Sequence, residues 1–182
     1  RVSSRPQENR RQGMTPTVPL ARIVDALDML SDEFCYYLHK PTGQVIMIMQ
    51  DDLAMAEEAD ESDLEGLPDW QRKNIEEAIR TLTTDEYLPL PSKFAVHDWD
   101  IMRRFCYIVE DERLSRSLLD AIHGPGAFGF FKHLVRENGI EQDWYAFRES
   151  VLEEIAIDWL EANKIPYTRE KSHHGEKLED EK

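Results

Sequence analysis

The chain has 182 residues, 41% of them hydrophobic, which suffices for one domain with a sizeable core. Its 22 basic and 37 acidic residues give a net charge of −15, so the chain repels polyphosphates and generic nucleic-acid binding is disfavoured. Cys35 and Cys106 are too few for a disulfide framework and lack metal-ligand spacing. No stretch resembles an export signal or approaches membrane-spanning length. The composition predicts a cytoplasmic protein with two reduced cysteines in its core.

The two ends of the chain differ in composition from its middle. Residues 1–13 are polar and rich in arginine, and residues 168–182 are charged and almost without apolar side chains. Such segments bury too little apolar surface to offset the entropy lost on ordering. We therefore expect a disordered extension at residues 1–17, a single domain at residues 18–166 and a disordered charged tail at residues 167–182.

The first predicted elements are a helix and a β-hairpin. Apolar side chains recur at helical spacing over about residues 19–31. Two apolar runs follow, Phe34–His39 and Gln44–Met49, and the turn-forming residues 40–43 separate them, which predicts a hairpin. Because the second run is apolar on both faces from Val45 onward, we expect it to lie inside a sheet rather than at a solvent-exposed edge.

An acidic stretch comes next. Residues 51–65 contain eight acidic side chains and no basic ones, so self-repulsion favours a solvated surface helix or loop. A helix follows at about residues 69–83, and Asp69 is the predicted cap of its first turn.

The second half of the chain is predicted to be mostly helical. Residues Tyr87–Leu90 predict a third strand, which Pro89 and Pro91 confine to a sheet edge or reduce to a loop because proline lacks an N–H group. From residue 98 onward the apolar spacing predicts three short helices in series and a long helix at about residues 143–163. The fold class is therefore α+β: an N-terminal helix and a small antiparallel hairpin or sheet, packed against a helical C-terminal half through Trp and Phe residues.

Residues 121–134 carry the strongest local motif, because a Gly-Pro-Gly turn stands directly before an aromatic-rich helix start. Gly124 and Gly126 permit close backbone approach, so they could pack a helix end or present amides to an anion. His123 and Lys132 flank this turn and complete the candidate anion or ligand site. The stretch lacks the Walker and dinucleotide-binding glycine patterns, so we favour a structural turn over an anion site.

Other polar groups have simpler structural interpretations. His97, Asp98 and Asp100 could form an acid–base group, but capping of a helix start by Asp98 is favoured. His123 and His133 bracket the turn and lack a third convergent metal ligand. We therefore predict no catalytic residue, no metal site and no cofactor.

One aromatic cluster allows two interpretations. Trp144, Tyr145 and Phe147 interleave with Arg148, as on a base-stacking surface. At helical spacing aromatics more often belong to the core, and the net charge opposes polyanions, so we expect core residues here. The sequence also leaves a homodimer open, because helical periodicity does not separate a core face from a dimer interface.

Short motifs run in order along most of the chain: Phe34–Leu38 followed by Thr42-Gly43, then Met102 and Phe105, Ala121–Gly124, Gly126–Phe128, Phe131-Lys132, Trp144-Tyr145 and Trp159-Leu160. In this order they resemble the bacterial uncharacterised protein family 0158 over about residues 18–165. Pro125 and Gly129 depart from the family pattern, which weakens anion binding through side-chain charge at the turn. The resemblance implies a cytosolic bacterial protein without an established activity, and it supplies no catalytic residue.

Two functions follow from these observations. The first is a non-enzymatic interaction or regulatory protein whose acidic surface, including Asp60, Glu61 and Asp63, docks another protein with a basic surface. The second is an enzyme or small-molecule-binding protein with its site at residues 123–132. The net charge favours the first, and we expect no membrane partner.

Overall fold

The structure, a computed structural model, describes residues 16–58 and 64–169. Its helices are α1 (Leu20–Asp28), α2 (Gln50–Glu58), α3 (Asp69–Thr83), α4 (Asp98–Ile108), α5 (Glu112–Ala121), α6 (Ala127–Glu137) and α7 (Glu141–Ala162). Its strands are β1 (Val18–Pro19), β2 (Phe34–His39), β3 (Gln44–Met49), β4 (Tyr87–Pro89) and β5 (Tyr167–Thr168). The predicted α+β class, with a small sheet and a mostly helical second half, is confirmed.

Strands β3, β2 and β4 form an antiparallel sheet in that order. The predicted hairpin is confirmed, and its register runs unbroken from Phe34 opposite Met49 to His39 opposite Gln44. Gly43 closes the turn with a φ of 65°, a left-handed value that glycine adopts without strain. The third strand is also confirmed, and β4 lies at an edge of the sheet, as its prolines predicted.

The strand order corrects the prediction for β3. Among the described residues this strand pairs only with β2, so it lies at the other edge of the sheet and not inside it. The apolar run of residues 45–49 has a different cause, because both faces of the strand contact hydrophobic clusters. Val45 packs on the main core, whereas Ile46 and Ile48 belong to a smaller cluster on the opposite face.

The main core lies between one face of the sheet and the C-terminal helices. At its centre, the buried Trp144 of α7 meets Phe105 of α4 and Phe131 of α6, with ring centroids 5.3 Å and 4.7 Å away. Both contacts are edge-to-face, the arrangement that aromatic quadrupoles favour. Helix α1 packs along α7 and completes this layer. The predicted Trp and Phe core is confirmed.

A second layer covers the opposite face of the sheet. Helices α2 and α3 pack together there, and Leu53 and Ala78 join Ile48 in the smaller hydrophobic cluster. Leu53 is the buried residue of α2, whereas Asp51, Glu57 and Glu58 are exposed and Asp52 is half-buried. Of the predicted surface helix or loop at residues 51–65, residues 51–58 belong to a helix, and residues 59–63 lie outside the described residues.

Strands β1 and β5 join the two ends of the described chain in a short parallel pair. Val18 stands opposite Tyr167, and the Val18 N–H donates to the carbonyl of Pro166 at 2.8 Å. Strand structure thus continues to Thr168, beyond residue 166 where we predicted the domain to end. The expected extension before residue 16 and the expected tail from residue 170 lie outside the described residues.

Two predicted helix caps are wrong. Asp69 is the first residue of α3 and makes no cap bond; its carboxylate accepts instead from Arg72 Nη2 at 3.4 Å. Asp98 likewise begins α4 without capping it and accepts from Arg148 Nη2 at 3.3 Å. In both cases a guanidinium is the partner, and a charge-assisted bond is stronger than a bond to a neutral amide.

The two cysteines are free thiols in different environments. Cys106 is buried as predicted, and burial raises the pKa of its thiol to about 11. Cys35 is only half-buried, contrary to the prediction, and its Sγ–H donates to Gln50 Oε1 at 2.9 Å. Within residues 16–58 and 64–169, no helix combines the length and apolarity needed to cross a membrane.

Candidate functional site

The outer edge of β3 carries backbone groups that no strand satisfies within the described part of the chain. The direction of these groups follows from two bonds of the central strand. Gln50 N donates to Glu33 O at 2.8 Å on the β3 side, and Leu90 N donates to Tyr36 O at 2.9 Å on the β4 side. Because backbone groups alternate along a strand, odd-numbered residues of β2 face β3 and even-numbered residues face β4.

The hairpin register then decides which residues of β3 point outward. Ile46 stands opposite Tyr37, so the backbone of Ile46 bonds to β2. Val45, Met47 and Met49 alternate with it and turn their backbone groups away from the sheet. The free edge thus presents N–H and C=O groups that another strand can bind.

The side chains along this edge are apolar and accessible. Met47 is 53% exposed and Met49 is 45% exposed, although both lie on the face that meets the main core. The strand contains no charged residue and no proline, and its register with β2 has no bulge. In monomeric proteins, charged side chains, prolines and bulges keep edge strands from pairing with other chains. An edge that has none of the three is open to pairing.

The two ends of β3 carry opposite charges. At the turn end, Arg22 Nη1 donates to Gly43 O at 2.6 Å, and Lys40 lies in the same turn. At the other end, Asp51 and Asp52 stand in the first turn of α2. No ion pair joins any of these four charged side chains to another described residue. The edge is therefore uncharged along its length, basic at one end and acidic at the other.

The Gly-Pro-Gly turn has the conformation that its glycines predict. Gly124 and Gly126 adopt φ values of 88° and 77°, and Gly126 directly precedes α6. Lys132 lies in the second turn of α6, with its Nζ 4.8 Å from the ring centroid of Phe128. The ammonium group therefore contacts an aromatic face on its own helix.

The residue before the turn is positioned by a neighbouring helix. Trp99 Nε1 donates to the carbonyl of Ile122 at 3.0 Å, and the His123 ring lies 6.4 Å from the Trp99 ring. These contacts give the turn a packing role. Anion binding at His123, Gly124, Gly126 and Lys132 stays a prediction.

Two other sequence predictions concern acidic residues and metals. Asp60, Glu61 and Asp63 lie outside the described residues. Among the residues that the structure covers, no three His, Cys, Asp or Glu side chains are grouped so that they could hold a metal ion.

Arg148 joins three helices through a pair of carboxylates, which sequence reasoning missed. It forms ion pairs with Asp28 of α1 and Asp98 of α4, and its side chain is 17% exposed. Burial lowers the pKa of Arg148 and raises the pKa of Asp98. Nearby, Trp144 is buried and Phe147 packs on the core, as predicted, whereas Tyr145 is exposed. Asp98 lies fifty residues from Arg148 along the chain, so no local sequence pattern predicts their ion pair.

Two adjoining pockets flank the ion pair between Asp32 and Lys93. One is mostly apolar, measures about 250 Å³ and includes Cys35 and Phe94 in its wall. The other is polar, measures about 270 Å³ and reaches Arg148. Each is smaller than the range of about 300–1,000 Å³ typical of small-molecule sites. The edge of β3 is therefore the stronger candidate site.

Comparisons with known proteins agree with the motifs. The family model described as "Uncharacterised protein family (UPF0158)" matches residues 14–180. A UPF0158 protein of Pseudomonas aeruginosa is 29% identical over 150 residues, which cover 82% of this chain and 84% of the relative. No solved structure matches the chain. Because the family model spans most of its length, the chain belongs to the uncharacterised protein family UPF0158.

Proposed function

We propose that the protein is a non-enzymatic interaction module that binds an extended segment of a partner protein along the outer edge of β3. The observation that carries this proposal is the unprotected edge, with the outward backbone groups of Val45 and Met47 and the exposed side chain of Met47. No catalytic residue is assigned. The free thiols of Cys35 and Cys106 support the expected cytoplasmic location.

Binding at this edge proceeds by strand addition. The backbone groups of the partner's strand pair with those of β3, which supplies affinity without dependence on sequence. Specificity comes from alternate side chains, because those on one face of the added strand lie beside Met47 and Met49. Burial of these two methionines removes exposed apolar surface from water, which contributes further stabilisation.

The rest of the sheet supports this edge. Helices on both faces hold β3 through Val45 on one side and Ile48 on the other. The strand is therefore ordered before a partner arrives, and a pre-organised site loses less entropy on binding.

The acidic segment is a separate proposal for the same class of function. Asp60, Glu61 and Asp63 would attract a basic partner, and their joint neutralisation to Asn and Gln tests that interaction alone. Retention of the partner by this variant would exclude the acidic contact and leave the edge of β3 unaffected.

Site-specific photo-crosslinking in the host cell tests the edge. A benzophenone side chain at Met47 is expected to form adducts with a partner protein, since residue 47 lies within the proposed contact. The matched control carries the same group at Trp70, which is 66% exposed on α3 and lies in a different element. Adducts from position 47 that are absent from position 70 support the proposal. Their absence from position 47 contradicts it.

A further inference from the structure

We infer that the strand received by β3 is the β3 of a second copy, so that the chain forms a two-fold homodimer with one sheet running through both copies. This inference rests on the function proposed above and names its partner. Three properties of the strand lead to it: the symmetry of its outward groups, the chemistry of its side chains and the opposite charges at its ends.

The symmetry step concerns the register. A two-fold axis perpendicular to a sheet places two copies of an edge strand antiparallel, and directly opposed residues then point to the same face. Outward-facing residues must also meet each other. Both conditions hold when Met47 stands opposite the partner's Met47 and Val45 opposite the partner's Met49, because all three residues turn outward and share one face.

The chemical step concerns the side chains that this register brings together. On the face of the main core, the half-exposed Met47 and Met49 meet only methionine and valine of the other copy. On the opposite face, Ile46 meets the partner's Ile48. The pairs formed by residues 45–49 are all apolar, Gln44 stands opposite the partner's Gln50 and no charge is buried, so the strand is complementary to itself.

The electrostatic step concerns the ends of the strand. Antiparallel pairing places the basic end of each copy, with Arg22 and Lys40, beside the acidic end of the other, with Asp51 and Asp52. This contact occurs twice in a two-fold dimer. It opposes the mutual repulsion of two chains that each carry a net charge of −15.

The size of the interface sets the expected affinity. One strand edge with a few flanking charges gives an interface at the small end of the range for protein complexes. We therefore expect a reversible dimer with a Kd on the order of micromolar. A chain in that regime changes its association state with its own concentration.

Sedimentation velocity on the full chain tests the dimer, over concentrations from about 1 to about 100 µM. The wild-type chain is expected to shift from monomer to dimer. Met47→Lys places two ammonium groups across the axis and is expected to raise the Kd at least about tenfold. Tyr107→Lys adds the same charge at an exposed position of α4 and is expected to leave the Kd unchanged. A monomer at every concentration, or a dimer that Met47→Lys does not weaken, overturns the inference.

A charge exchange tests the antiparallel arrangement separately from folding. Lys40→Glu places like charges at both ends of a homodimer, and Asp51→Lys does so with the opposite sign, so each variant alone is expected to associate more weakly. An equimolar mixture pairs glutamate with lysine at one end and retains the original pair at the other. The mixture is expected to regain most of the wild-type association. Failure of the mixture to exceed either variant contradicts the proposed orientation.

The two proposals fail in different ways. A purified chain that stays monomeric while position 47 crosslinks to a different protein overturns the homodimer and leaves the interaction edge in place. A monomeric chain without any adduct at position 47 overturns both.

Discussion

The sheet has two edges, and the chain treats them differently. β4 is three residues long, and Pro89 stands where an N–H would face outward. β3 is twice as long and has neither proline nor charge along its length. Because both edges belong to one sheet, the general need to protect an edge strand applies equally to each. The contrast supports the proposal that a further strand pairs with β3 and not with β4.

The difference has a local cause at each edge. Leu90 donates to Tyr36 just after β4, and Pro91, like Pro89, stands at an outward position, so this edge lacks two outward N–H groups. At the other edge, β3 continues directly into α2 at Gln50, and its length is set by the helix start. Nothing along β3 interrupts the row of outward groups.

The largest expected effect is on the free energy of unfolding, and it comes from a substitution in β2, the central strand that pairs with both edge strands. Leu38 of β2 is fully buried and stands between Val45 and Leu88 in the two ladders. Leu38→Ala leaves a cavity in the main core and is expected to lower the free energy of unfolding by about 3 kcal/mol in urea titration. Leu82→Ala, at an exposed position of α3, serves as control and is expected to change it by less than about 0.5 kcal/mol. A similar loss of unfolding free energy in both variants would contradict a larger contribution of Leu38 to stability.

Amide exchange compares the two edges without any substitution. The outward N–H of Met47 becomes hydrogen-bonded in the proposed dimer, so its exchange is expected to slow about fivefold when the chain concentration rises to about ten times the Kd, where about one chain in five is monomeric. The outward N–H of Tyr87 on β4 is expected to exchange at the same rate throughout. Hydrogen–deuterium exchange read by NMR distinguishes the two amides. Equal slowing at both strands would remove the contrast between the edges.

Restoring the missing donor of β4 gives a smaller effect. Pro89→Ala returns an N–H to the outer edge. It also raises the conformational entropy of the unfolded chain, so we expect a loss of about 0.5 kcal/mol in unfolding free energy. The strand remains three residues long, and no new association is expected. Sedimentation of this variant in the Met47→Lys background measures the β4 edge alone. Appearance of a dimer there would mean that Pro89 is what keeps this edge unpaired.

The smallest expected effect concerns the rates at which the two thiols react. Burial raises the pKa of Cys35 and brings that of Cys106 to about 11, so both hold less thiolate at neutral pH than an unburied cysteine. Alkylation at each site is expected to accelerate as the pH rises above 9 towards the raised pKa. Cys35, which is half-buried beside β3, is expected to react before the buried Cys106, as mass spectrometry of timed samples can measure. Faster reaction of Cys106 would contradict the described packing.

Local features of the fold were predictable from the sequence. Residues 40–43 have turn chemistry, and the apolar runs on either side of them matched the observed strands, since hairpins form between neighbouring segments. Pro89 confined β4 to an edge because a missing N–H has the same effect in any sheet.

Features that depend on distant residues were not predictable. An apolar run such as residues 45–49 has the same pattern inside a sheet and at an edge covered by helices on both faces. Only the strand order separates the two cases. Asp98 is a second case, because its sequence context favours a helix cap. Its observed partner, Arg148, lies fifty residues away along the chain.

The candidate site was predictable only in part. Gly124 and Gly126 form the predicted turn, and the structure places Lys132 on the ring of Phe128. The edge residues Val45 and Met47 were identified as apolar, but their accessibility follows from tertiary packing. A six-residue strand without charge or proline was the one available signal.

The parallel pair of β1 and β5 bears on how the chain folds. Val18 meets Tyr167, so this contact encloses nearly the whole described chain in a single loop. Loop-closure entropy rises with the number of residues enclosed, and contacts of such long range slow folding. The hairpin and the helix pairs can form first from near neighbours, whereas β1 and β5 must wait until the helices between them have docked. On a ribosome, this pairing waits until Tyr167 has emerged, so the helices between β1 and β5 are synthesised before the two strands can pair.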